Sequence, residues 1–383
     1  MHICFLSNEY PRPGIAHGGI GSFLKVICPE LVKSGHQVSV INGTNGEREI
    51  AISEGVRIIY TPFSYSRGLG WFFNNRAIDR EIDKLHLENP IDILEGSEMS
   101  FAFLKKRKDI VNLIRLHGGH HFFAEGEKRK VNQWKVFQEK RSFRKADCFI
   151  GVSEYVVKET SKFLPLEPRP VKVIMNPINL SLFKASGFEG IEPFTLVFAG
   201  TIIEKKGIRQ LCAAMGKVVE KFPQAKLNVF GRDWKDPEGN SFLQKILGLI
   251  PEGLKSHIEF HGPVSQTELP SIFKKAHACV FPSHVETLGL VAPEAMAVGR
   301  AVLYTQEGPG PEVIQHGTSG WLCDPFDPND IADKIIEIFS DEEEMKRRAL
   351  EGQKKVNIQF NIANVLAQNI EFYKEMSNRK KLV

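Results

Sequence analysis

The sequence predicts an α/β protein built from two doubly wound parallel-sheet domains, and three observations lead to this prediction. The chain has 383 residues, more than one hydrophobic core usually serves. Short apolar runs rich in β-forming residues alternate with helical patterns, which is the rhythm of a parallel sheet. After a polar interval at residues 181–193 the same alternation starts again. The apolar fraction of 42% is ordinary for a globular chain, so each domain should bury a core.

The predicted strands fall into two groups, one for each domain. The first domain is expected over residues 1–185, with strands at 3–6, 38–41, 56–60, 92–94, 113–117, 148–152 and 171–175. A linker rich in Ser, Gly and Glu follows it. The second domain is expected over residues 190–358, with strands at 195–199, 227–230, 258–261, 278–281, 301–304 and 320–323. Apolar residues then recur at helical spacing, which predicts a terminal helix over 360–383.

Cysteine usage and hydropathy indicate a reduced, water-exposed environment. The sequence contains six cysteines with no close pair, as expected for reduced core residues rather than a disulfide framework. The first strand is too short and too soon polar to be a signal sequence, and no apolar run approaches the length of a membrane-spanning helix. A cytoplasmic location is therefore expected, with the inner membrane face as the place of any peripheral contact.

The net charge of +4 conceals a basic window in the first domain. Residues 105–145 contain 13 Lys and Arg against 4 Asp and Glu, a net charge of +9, so the remainder carries −5. Aromatic runs at 101–104 and 122–123 accompany it. This pattern fits an anionic membrane surface or a phosphate-bearing lipid-linked acceptor, although a solvated helical face is the simpler interpretation. Nucleic acid is not expected, because no aromatic-basic recognition module is visible.

The most informative segment runs from residue 281 to 299. Glu286 and Glu294 lie eight positions apart in it, behind an apolar strand. Pro293 suits the first position of a helix that is expected to continue through Val298. Two isolated glutamates in such places would ordinarily be a solvated side chain and a dipole-stabilising one. The surrounding residues decide whether they do more.

The loop between the two glutamates has the features of an anion site. The amides of Leu288, Gly289 and Leu290 would face a ligand together with the positive end of the following helix, which suits a diphosphate. A carboxylate can accept two hydrogen bonds from a vicinal diol. Glu286 and Glu294 could therefore hold a hexose and a ribose on opposite sides of one diphosphate.

This segment resembles the Glu-x7-Glu signature of retaining glycosyltransferases of family 4, which have the GT-B fold. The matching residues stand in the family's order: Pro282-Ser283, Glu286, Gly289-Leu290 and Glu294-Ala-Met-Ala-x-Gly299. The resemblance implies two Rossmann-like domains facing a central cleft, with the terminal helix crossing back to the first, acceptor-side domain. It also implies transfer of a sugar from a nucleoside diphosphate sugar to an acceptor hydroxyl with retention of configuration, in glycan, glycolipid or polysaccharide biosynthesis. No metal or other cofactor is implied, and UDP is the first choice of donor nucleotide, with GDP and ADP as alternatives.

A glycine-rich turn at residues 10–21 follows the first strand. Such a turn lets the backbone come close to a phosphate or sugar, although it can also be purely structural. A nicotinamide site is disfavoured, because the third glycine of G-x-G-x-x-G and the acidic residue about 20 positions later are both absent. Pro29 implies a kink or a late start in the next helix. The resemblance assigns Gly18 and Gly19 to the loop that closes over the donor and borders the acceptor.

A second glycine-rich turn, at residues 198–207, carries cations. In the family it usually reads Gly-Arg followed by Lys-Gly, and both basic residues neutralise the departing nucleoside diphosphate. Lys206 matches the family lysine, whereas Thr201 stands where the arginine is usual, which removes one fork of phosphate donors. Lys205 could compensate, with simple solvation as the alternative.

Three more stretches, at 115–118, 151–154 and 173–179, extend the resemblance through nearly the whole chain. His117 closes a predicted strand where the family places a histidine near the reacting sugar and the acceptor, and a buried, satisfied histidine is the alternative. His117, His120 and His121 lack a nearby cluster of Cys, Asp or Glu, so no metal site is expected.

The resemblance gives catalytic roles to Lys206, Glu286 and His117, and a ribose-binding role to Glu294. Lys206 and the amides of the 288–290 loop would stabilise charge on the diphosphate, and no protein nucleophile is evident. Two other classes stay open. A sugar-nucleotide epimerase of this fold would need its own proton-transfer groups, and a catalytically silent nucleotide-binding protein is suggested only by Thr201.

Overall fold

The computed structural model describes residues 1–12, 18–65 and 69–382. The chain divides into two compact units, one comprising Met1–Pro177 with Ile362–Val383 and the other Ile178–Asn361. Each unit contains one β-sheet with helices between its strands.

The sheet of the first unit has eight strands. They are β1 (His2–Ser7), β2 (Gln37–Thr44), β3 (Glu49–Ser53), β4 (Val56–Pro62), β5 (Ile93–Gly96), β6 (Val111–Leu116), β7 (Cys148–Gly151) and β8 (Val171–Val173). Their order is β3-β4-β2-β1-β5-β6-β7-β8, and all neighbours are parallel except the β3–β4 hairpin. The helices up to this point are α1 (Gly19–Lys33), α2 (Gly70–Glu88), α3 (His120–Gly126), α4 (Gln133–Lys145) and α5 (Glu154–Ser161).

The sheet of the second unit is parallel throughout, with the order β11-β10-β9-β12-β13-β14. Its strands are β9 (Thr195–Ala199), β10 (Lys226–Phe230), β11 (Ile258–Gly262), β12 (Ala278–Phe281), β13 (Ala301–Thr305) and β14 (Trp321–Cys323). Its helices are α6 (Ile208–Lys221), α7 (Phe242–Leu249), α8 (Leu269–Lys275), α9 (Val291–Ala297), α10 (Gly310–Val313), α11 (Pro328–Ser340) and α12 (Glu342–Gln359), with 3-10 turns at Glu204–Lys206 and Glu252–His257.

The division between the units falls before the predicted boundary near residue 185. The Ser186 amide donates to the carbonyl of Val298 at 3.1 Å, and the buried Arg300 donates to the carbonyl of Gly187 at 2.5 Å. Phe183 is also buried. The segment from 178 onward therefore packs on the second unit, and the expected linker is fixed to that unit by hydrogen bonds that its polar composition did not reveal.

The terminal helix, α13 (Ile362–Lys381), completes the core of the first unit. Val365, Leu366, Phe372, Tyr373 and Met376 belong to the same buried cluster as the apolar residues of β1, β2 and α1. Burying such side chains is the main source of folding free energy, so α13 is part of this unit rather than an appendage.

A buried polar network also joins α13 to the sheet. Arg115 on β6 is 1% exposed and donates to Glu95 at 2.6 Å and to Asn369 at 2.6 Å. The Tyr373 hydroxyl donates to the second oxygen of Glu95 at 2.6 Å. Because a buried charge is tolerated only when it is paired and hydrogen-bonded, this network fixes the position of the helix on the sheet.

Parallel strands place their following loops at one edge of each sheet. In the second unit β9 and β12 are neighbours, so the loop carrying the Glu204–Lys206 turn lies beside the loop that begins at Pro282. In the first unit β1, β5 and β6 are consecutive, which gathers the loops after residues 7, 96 and 116. In open α/β sheets ligands bind at this carboxyl edge.

All six cysteines are buried as free thiols. Within the described ranges, no helix combines the length and the hydropathy needed to cross a membrane.

Candidate active site

Lys206 and Glu286 form an ion pair at the carboxyl edge of the second sheet. The Lys206 ammonium contacts the Glu286 carboxylate, and the two side chains remain 23% and 11% exposed. Gly207, which follows the lysine, has φ +70°, and a Cβ there would lie 1.8 Å from the carbonyl oxygen of Pro282. Only glycine fits this close approach, so the sequence Lys-Gly brings the lysine onto the glutamate loop.

The surroundings of Glu286 fix its orientation. Ser283 donates a hydrogen bond to Glu286 Oε1 at 3.2 Å. The buried Tyr304 donates its hydroxyl to the Leu288 carbonyl at 3.1 Å, and burial raises the pKa of this tyrosine well above its usual value. Gly289 has φ +72°, and a Cβ at this position would lie 2.0 Å from Tyr304 Oη. The glutamate loop is thus anchored from beneath by a neutral tyrosine on the adjacent strand.

The backbone amides of residues 288–290 are available as hydrogen-bond donors for a ligand. Among the described residues, none accepts a hydrogen bond from the backbone N–H of Leu288, Gly289 or Leu290. The helix itself starts at Val291, so the prediction that Pro293 occupies its first position is wrong. Proline is tolerated at the third position for the same reason as at the first, because the N–H groups of the first turn have no partner within the helix.

Glu294 lies in the first turn of α9 and is buried. Gln266 donates to its Oε1 at 3.2 Å. Burial raises the pKa of Glu294 to about 7, and the Gln266 hydrogen bond opposes this only in part. The two glutamates of the signature therefore have different environments, since Glu286 is paired with a cation and Glu294 has an amide as its partner.

The loop after β9 contains the predicted Thr201 and Lys205. Thr201 is partly exposed, and the Lys205 carbonyl accepts the His284 amide at 2.8 Å, which ties this loop to the glutamate loop. The Arg232 carbonyl accepts the Ile202 amide at 2.9 Å, so the exposed Arg232 lies directly beside the Thr201 loop. Arg232 was not predicted; its position immediately after Gly231 at the end of a strand is the signal that could have indicated it.

The predicted glycines of the first unit lie at the start of α1. Gly18 is the N-cap residue, and its amide donates to Glu9 at 3.1 Å. A Cβ on Gly19 would meet nothing within 4 Å, so no described neighbour requires glycine there. The helix runs from Gly19 through Pro29 to Lys33, so the predicted late start is wrong. Residues 13–17 of the predicted turn lie outside the described residues.

His117 follows β6 and packs its ring against Phe23 at a centroid distance of 5.9 Å. Burial, aided by the Arg115 charge, lowers the pKa of His117 to about 3. The imidazole is therefore neutral at physiological pH and can donate one hydrogen bond and accept another.

A buried carboxyl, Glu98, lies next to the turn that carries His117. It is 4% exposed, and its Oε1 has no hydrogen-bond partner among the described residues. Burial raises the pKa of Glu98 to about 7, against the effect of nearby backbone amides that include those of His117 and Gly118. The sequence feature that could have indicated Glu98 as a site residue is its position just after a strand, in Gly96-Ser-Glu98.

The other two histidines of the motif have partners of their own. The His120 ring accepts the Asn132 amide at 2.6 Å, and His121 Nδ1 contacts the buried Glu139 at 2.5 Å. In the described part of the chain, no group of three or more His, Cys, Asp and Glu side chains is arranged to hold a metal ion.

The structure thus brings together Lys206, Glu286 and the 288–290 loop in one unit, with Glu294 on the helix that follows. In the other unit it places His117 directly after β6 and Gly18 and Gly19 at the start of α1, the helix that follows β1. Sequence reasoning missed the supporting residues Gln266, Tyr304, Glu9 and Glu98, because each acts through a neighbour outside its own motif or through burial. Ser283 belongs to the signature, but its hydrogen bond to Glu286 was not predicted.

Comparison with known proteins identifies the family. Residues 17–182 match the family model described as Glycosyltransferase Family 4, and residues 183–355 match the model described as Glycosyl transferases group 1. An uncharacterized glycosyltransferase of Methanocaldococcus jannaschii is 25% identical over 98% of each chain.

Solved structures show the same fold. Sucrose-phosphate synthase from Thermosynechococcus elongatus superimposes with a TM-score of 0.83 at 21% identity, covering 98% of this chain and 99% of its own. Anabaena HepE, solved in complex with UDP-glucose, has a TM-score of 0.77 at 17% identity, covering 98% and 100%. The two consecutive family matches and this fold show that the chain belongs to the GT-B glycosyltransferases that resemble family 4.

Proposed function

We propose that this glycosyltransferase moves a sugar from a nucleoside diphosphate sugar to an acceptor hydroxyl with retention of configuration and without a metal ion. The observation that carries the proposal is the Lys206–Glu286 ion pair beside three adjacent backbone amides, 288–290, that lack partners among the described residues. A diphosphate requires a cation and amide donors, and a sugar diol requires a carboxylate. All of these groups lie at the carboxyl edge of the second sheet.

Lys206 and the loop amides would do the main catalytic work. Glycosyl transfer passes through an oxocarbenium-like transition state, so negative charge grows on the departing diphosphate. The lysine uses one of its three N–H groups on Glu286 and keeps others to donate. Preorganised donors of this kind contribute about 3 kcal/mol each to transition-state stabilisation.

The two glutamates would hold different parts of the donor. Glu286, oriented by Ser283 and Lys206, keeps Oε2 available for sugar hydroxyls, with no partner for that atom among the described residues. Glu294 would hold the ribose. Its raised pKa suits a diol in either protonation state, because a carboxyl can donate as well as accept, whereas a carboxylate only accepts.

His117 would hold a hydroxyl of the sugar or the acceptor. Since burial keeps the ring neutral, it would act through hydrogen bonds and not as a charged acid. We assign no general base to the protein, because the leaving phosphate can take the acceptor's proton. Gly18 and Gly19 would let the α1 loop approach the donor.

Arg232 is a candidate for the guanidinium that Thr201 has replaced. Its backbone pairs with the residue after Thr201, its side chain is exposed, and arginine presents the planar fork that suits a phosphate. Lys205 is the other candidate; its carbonyl accepts the His284 amide, which places its backbone where the two loops meet, but its ammonium lacks the planar fork of arginine.

UDP is the first donor nucleotide to test, supported by the UDP-glucose complex of HepE. Thermal stability would be measured with UDP, GDP, ADP and their sugars, with and without EDTA. A ligand at 100 times its dissociation constant stabilises by about 2.7 kcal/mol. We expect one nucleotide to give a selective shift that EDTA leaves unchanged; loss of the shift in EDTA would contradict metal independence.

Variants and products test the assigned roles. We expect Lys206→Ala to lower kcat about a hundredfold or more, as for a lost oxyanion donor. Glu294→Ala should weaken binding of the bare nucleotide, whereas Glu286→Ala should act mainly on the sugar. Equal loss of nucleotide binding in both would contradict this division. Arg232→Ala should weaken nucleotide diphosphate binding more than Lys205→Ala.

The anomeric configuration of the product, read by NMR, tests retention. An inverted product would exclude the retaining mechanism, and a nucleotide sugar altered without an acceptor would indicate an epimerase. The acceptor is expected to belong to glycan, glycolipid or polysaccharide biosynthesis.

A further inference from the structure

Six aromatic side chains form a surface patch on the first unit that the proposed chemistry does not use. We call it the aromatic patch; its members are Trp71, Phe72, Phe73, Phe103, Trp134 and Phe137. Five of the six are exposed by 38% to 48%, and Phe103 is partly buried among them. Scattered apolar residues are normal on a protein surface, but a contiguous group of this size marks an interaction site.

The aromatic patch is continuous across three separate segments. The Trp71 ring, at the start of α2, lies 4.4 Å from the ring of Phe103, in the loop after β5. Phe103 lies 5.6 Å from Trp134 on α4, and Trp134 stacks on Phe137 at 5.6 Å. The fold therefore brings together residues from three segments that are distant from one another in sequence.

The core does not require these residues. On α4 the buried side is formed by Val136, Glu139 and Phe143, while Trp134 and Phe137 stand on the opposite, exposed side. Of the four aromatic residues in the segments 101–104 and 122–123, which the sequence suggested for surface contact, two prove to be core: Phe101 and Phe122 are buried. The patch is built from exposed residues of α2 and α4, joined by Phe103 from the loop after β5.

Cations surround the aromatic patch. The guanidinium of Arg141 lies 5.8 Å from the Phe103 ring, and that of Arg76 lies 5.6 Å from Phe72. Lys140 and Arg144 are exposed on α4, at helical positions next to the aromatic stripe. Other basic residues of the 105–145 window serve the fold, such as Arg115 inside the core. Four cations, Arg76, Lys140, Arg141 and Arg144, therefore lie beside the exposed rings or on the same helix.

We propose that the aromatic patch docks on the surface of an anionic lipid bilayer. Tryptophan rings favour the membrane–water interface, and basic residues beside them are attracted by anionic headgroups. A second copy of the chain is the less suitable occupant, because it would bring two surfaces of the same positive charge together. A protein partner would have to be both acidic and apolar at matching points, which a bilayer provides without specific design.

Tryptophan quenching by brominated lipids tests this on the full chain. The protein has four tryptophans, of which Trp71 and Trp134 lie in the patch and Trp234 and Trp321 in the second unit. We expect quenching by phosphatidylcholine vesicles containing phosphatidylglycerol, with binding that weakens several-fold at high salt. Trp71→Phe with Trp134→Phe should abolish the quenching while cosedimentation persists, and the matched Trp234→Phe should keep it.

The charge contribution is tested by Lys140→Gln with Arg144→Gln. Partitioning onto anionic vesicles should fall about fivefold for each removed charge. The control pair Lys226→Gln with Lys235→Gln removes two exposed cations from the second unit and should leave binding unchanged.

Three results would overturn the proposal. The first is no binding to anionic vesicles, and the second is equal binding to neutral vesicles regardless of salt. The third is a dimer detected by light scattering in the absence of lipid, accompanied by a blue shift that the Trp71→Phe, Trp134→Phe variant loses, because a second copy would then cover the patch.

Discussion

Two glutamates eight positions apart in sequence have different properties in this structure. Glu286 is partly exposed and paired with the Lys206 ammonium. Glu294 is buried and has only the Gln266 amide, so burial raises its pKa to about 7. The same residue type is therefore the partner of a cation in one place and a buried carboxyl with a raised pKa in the other.

The raised pKa of Glu294 makes the stability of the second unit depend on pH. A carboxyl with a folded-state pKa above its usual 4.5 contributes stability that is complete below pH 4.5 and is lost as the pH rises through about 7. Glutamine does not titrate, so the Glu294→Gln variant does not show this pH-dependent loss of stability. The variant should therefore gain on the wild type by up to roughly 3 kcal/mol between pH 4.5 and pH 8, measured by urea unfolding of the ligand-free proteins.

Glu98→Gln provides a parallel case in the first unit, because burial raises the pKa of Glu98 to about 7 as well. Its effect should have the same sign but should appear in the unfolding of the first unit. A stability difference between variant and wild type that stays constant across this pH range would contradict the assignment.

At the residue scale, the sequence predicts the side chains that belong to a local motif. Glu286, Glu294 and Lys206 could be predicted because each belongs to a short motif, with nearby glycines, that lies within one continuous segment. Tyr304 and Gln266 were not, since they reach the site from other elements, and a sequence pattern carries no information on which buried side chain meets which loop.

At the element scale, the two loops at the edge of the second sheet depend on a single close contact. Gly207 ends the Glu204–Lys206 turn with φ +70°, and it lies so near Pro282 that a Cβ would come within 1.8 Å of the proline carbonyl. The backbone of the glutamate loop and that of the lysine turn are thus in direct contact. A side chain at position 207 would therefore have to displace either the glutamate loop or the lysine turn.

Gly207→Ala should therefore be more harmful than an ordinary glycine substitution. A positive φ alone costs an alanine about 1 kcal/mol. Gly317→Ala is the matched control, because Gly317 has φ +76° but no neighbour within 4 Å of its Cβ. We expect a loss near that value for Gly317→Ala, and a larger loss together with weaker donor binding for Gly207→Ala. Equal stability losses, with donor binding intact, would argue against the contact.

Strands were more predictable than helix ends. Every strand expected from an apolar run is present, with ends shifted by a few residues. The missed strand, β3, lies at the sheet edge with Ile50 44% and Ile52 77% exposed, so no burial pattern distinguishes it from a loop. The start of α9 was misplaced because proline fits several positions in a first turn.

At the scale of the whole molecule, the chain contains two compact units, and the first is made of two segments that come before and after the second in sequence. The first unit recruits α13 from the end of the chain through apolar burial and through the Arg115, Glu95, Asn369 and Tyr373 network. The sequence indicated the helix by its apolar spacing. That this helix packs on the first unit was implied only by the family resemblance, because helical periodicity does not specify which domain a helix packs against.

Two buried tyrosines, one in each unit, allow the cores to be tested separately. Tyr373 donates its hydroxyl to Glu95 at 2.6 Å in the first unit, and Tyr304 donates to the Leu288 carbonyl at 3.1 Å in the second. Tyr373→Phe should lower the unfolding temperature of the first unit, because Glu95 and Arg115 lose a buried partner at a cost of about 1–3 kcal/mol. Tyr304→Phe should act only on the second unit.

Differential scanning calorimetry, with hydrogen exchange to assign each transition, would separate the two effects. We expect each phenylalanine variant to move one transition and to leave the other in place, since neither tyrosine contributes to the other unit's core. If both variants shifted both transitions by the same amount, the chain would unfold as one cooperative body, and the network around Arg115 would then stabilise the whole molecule and not only the unit that α13 completes.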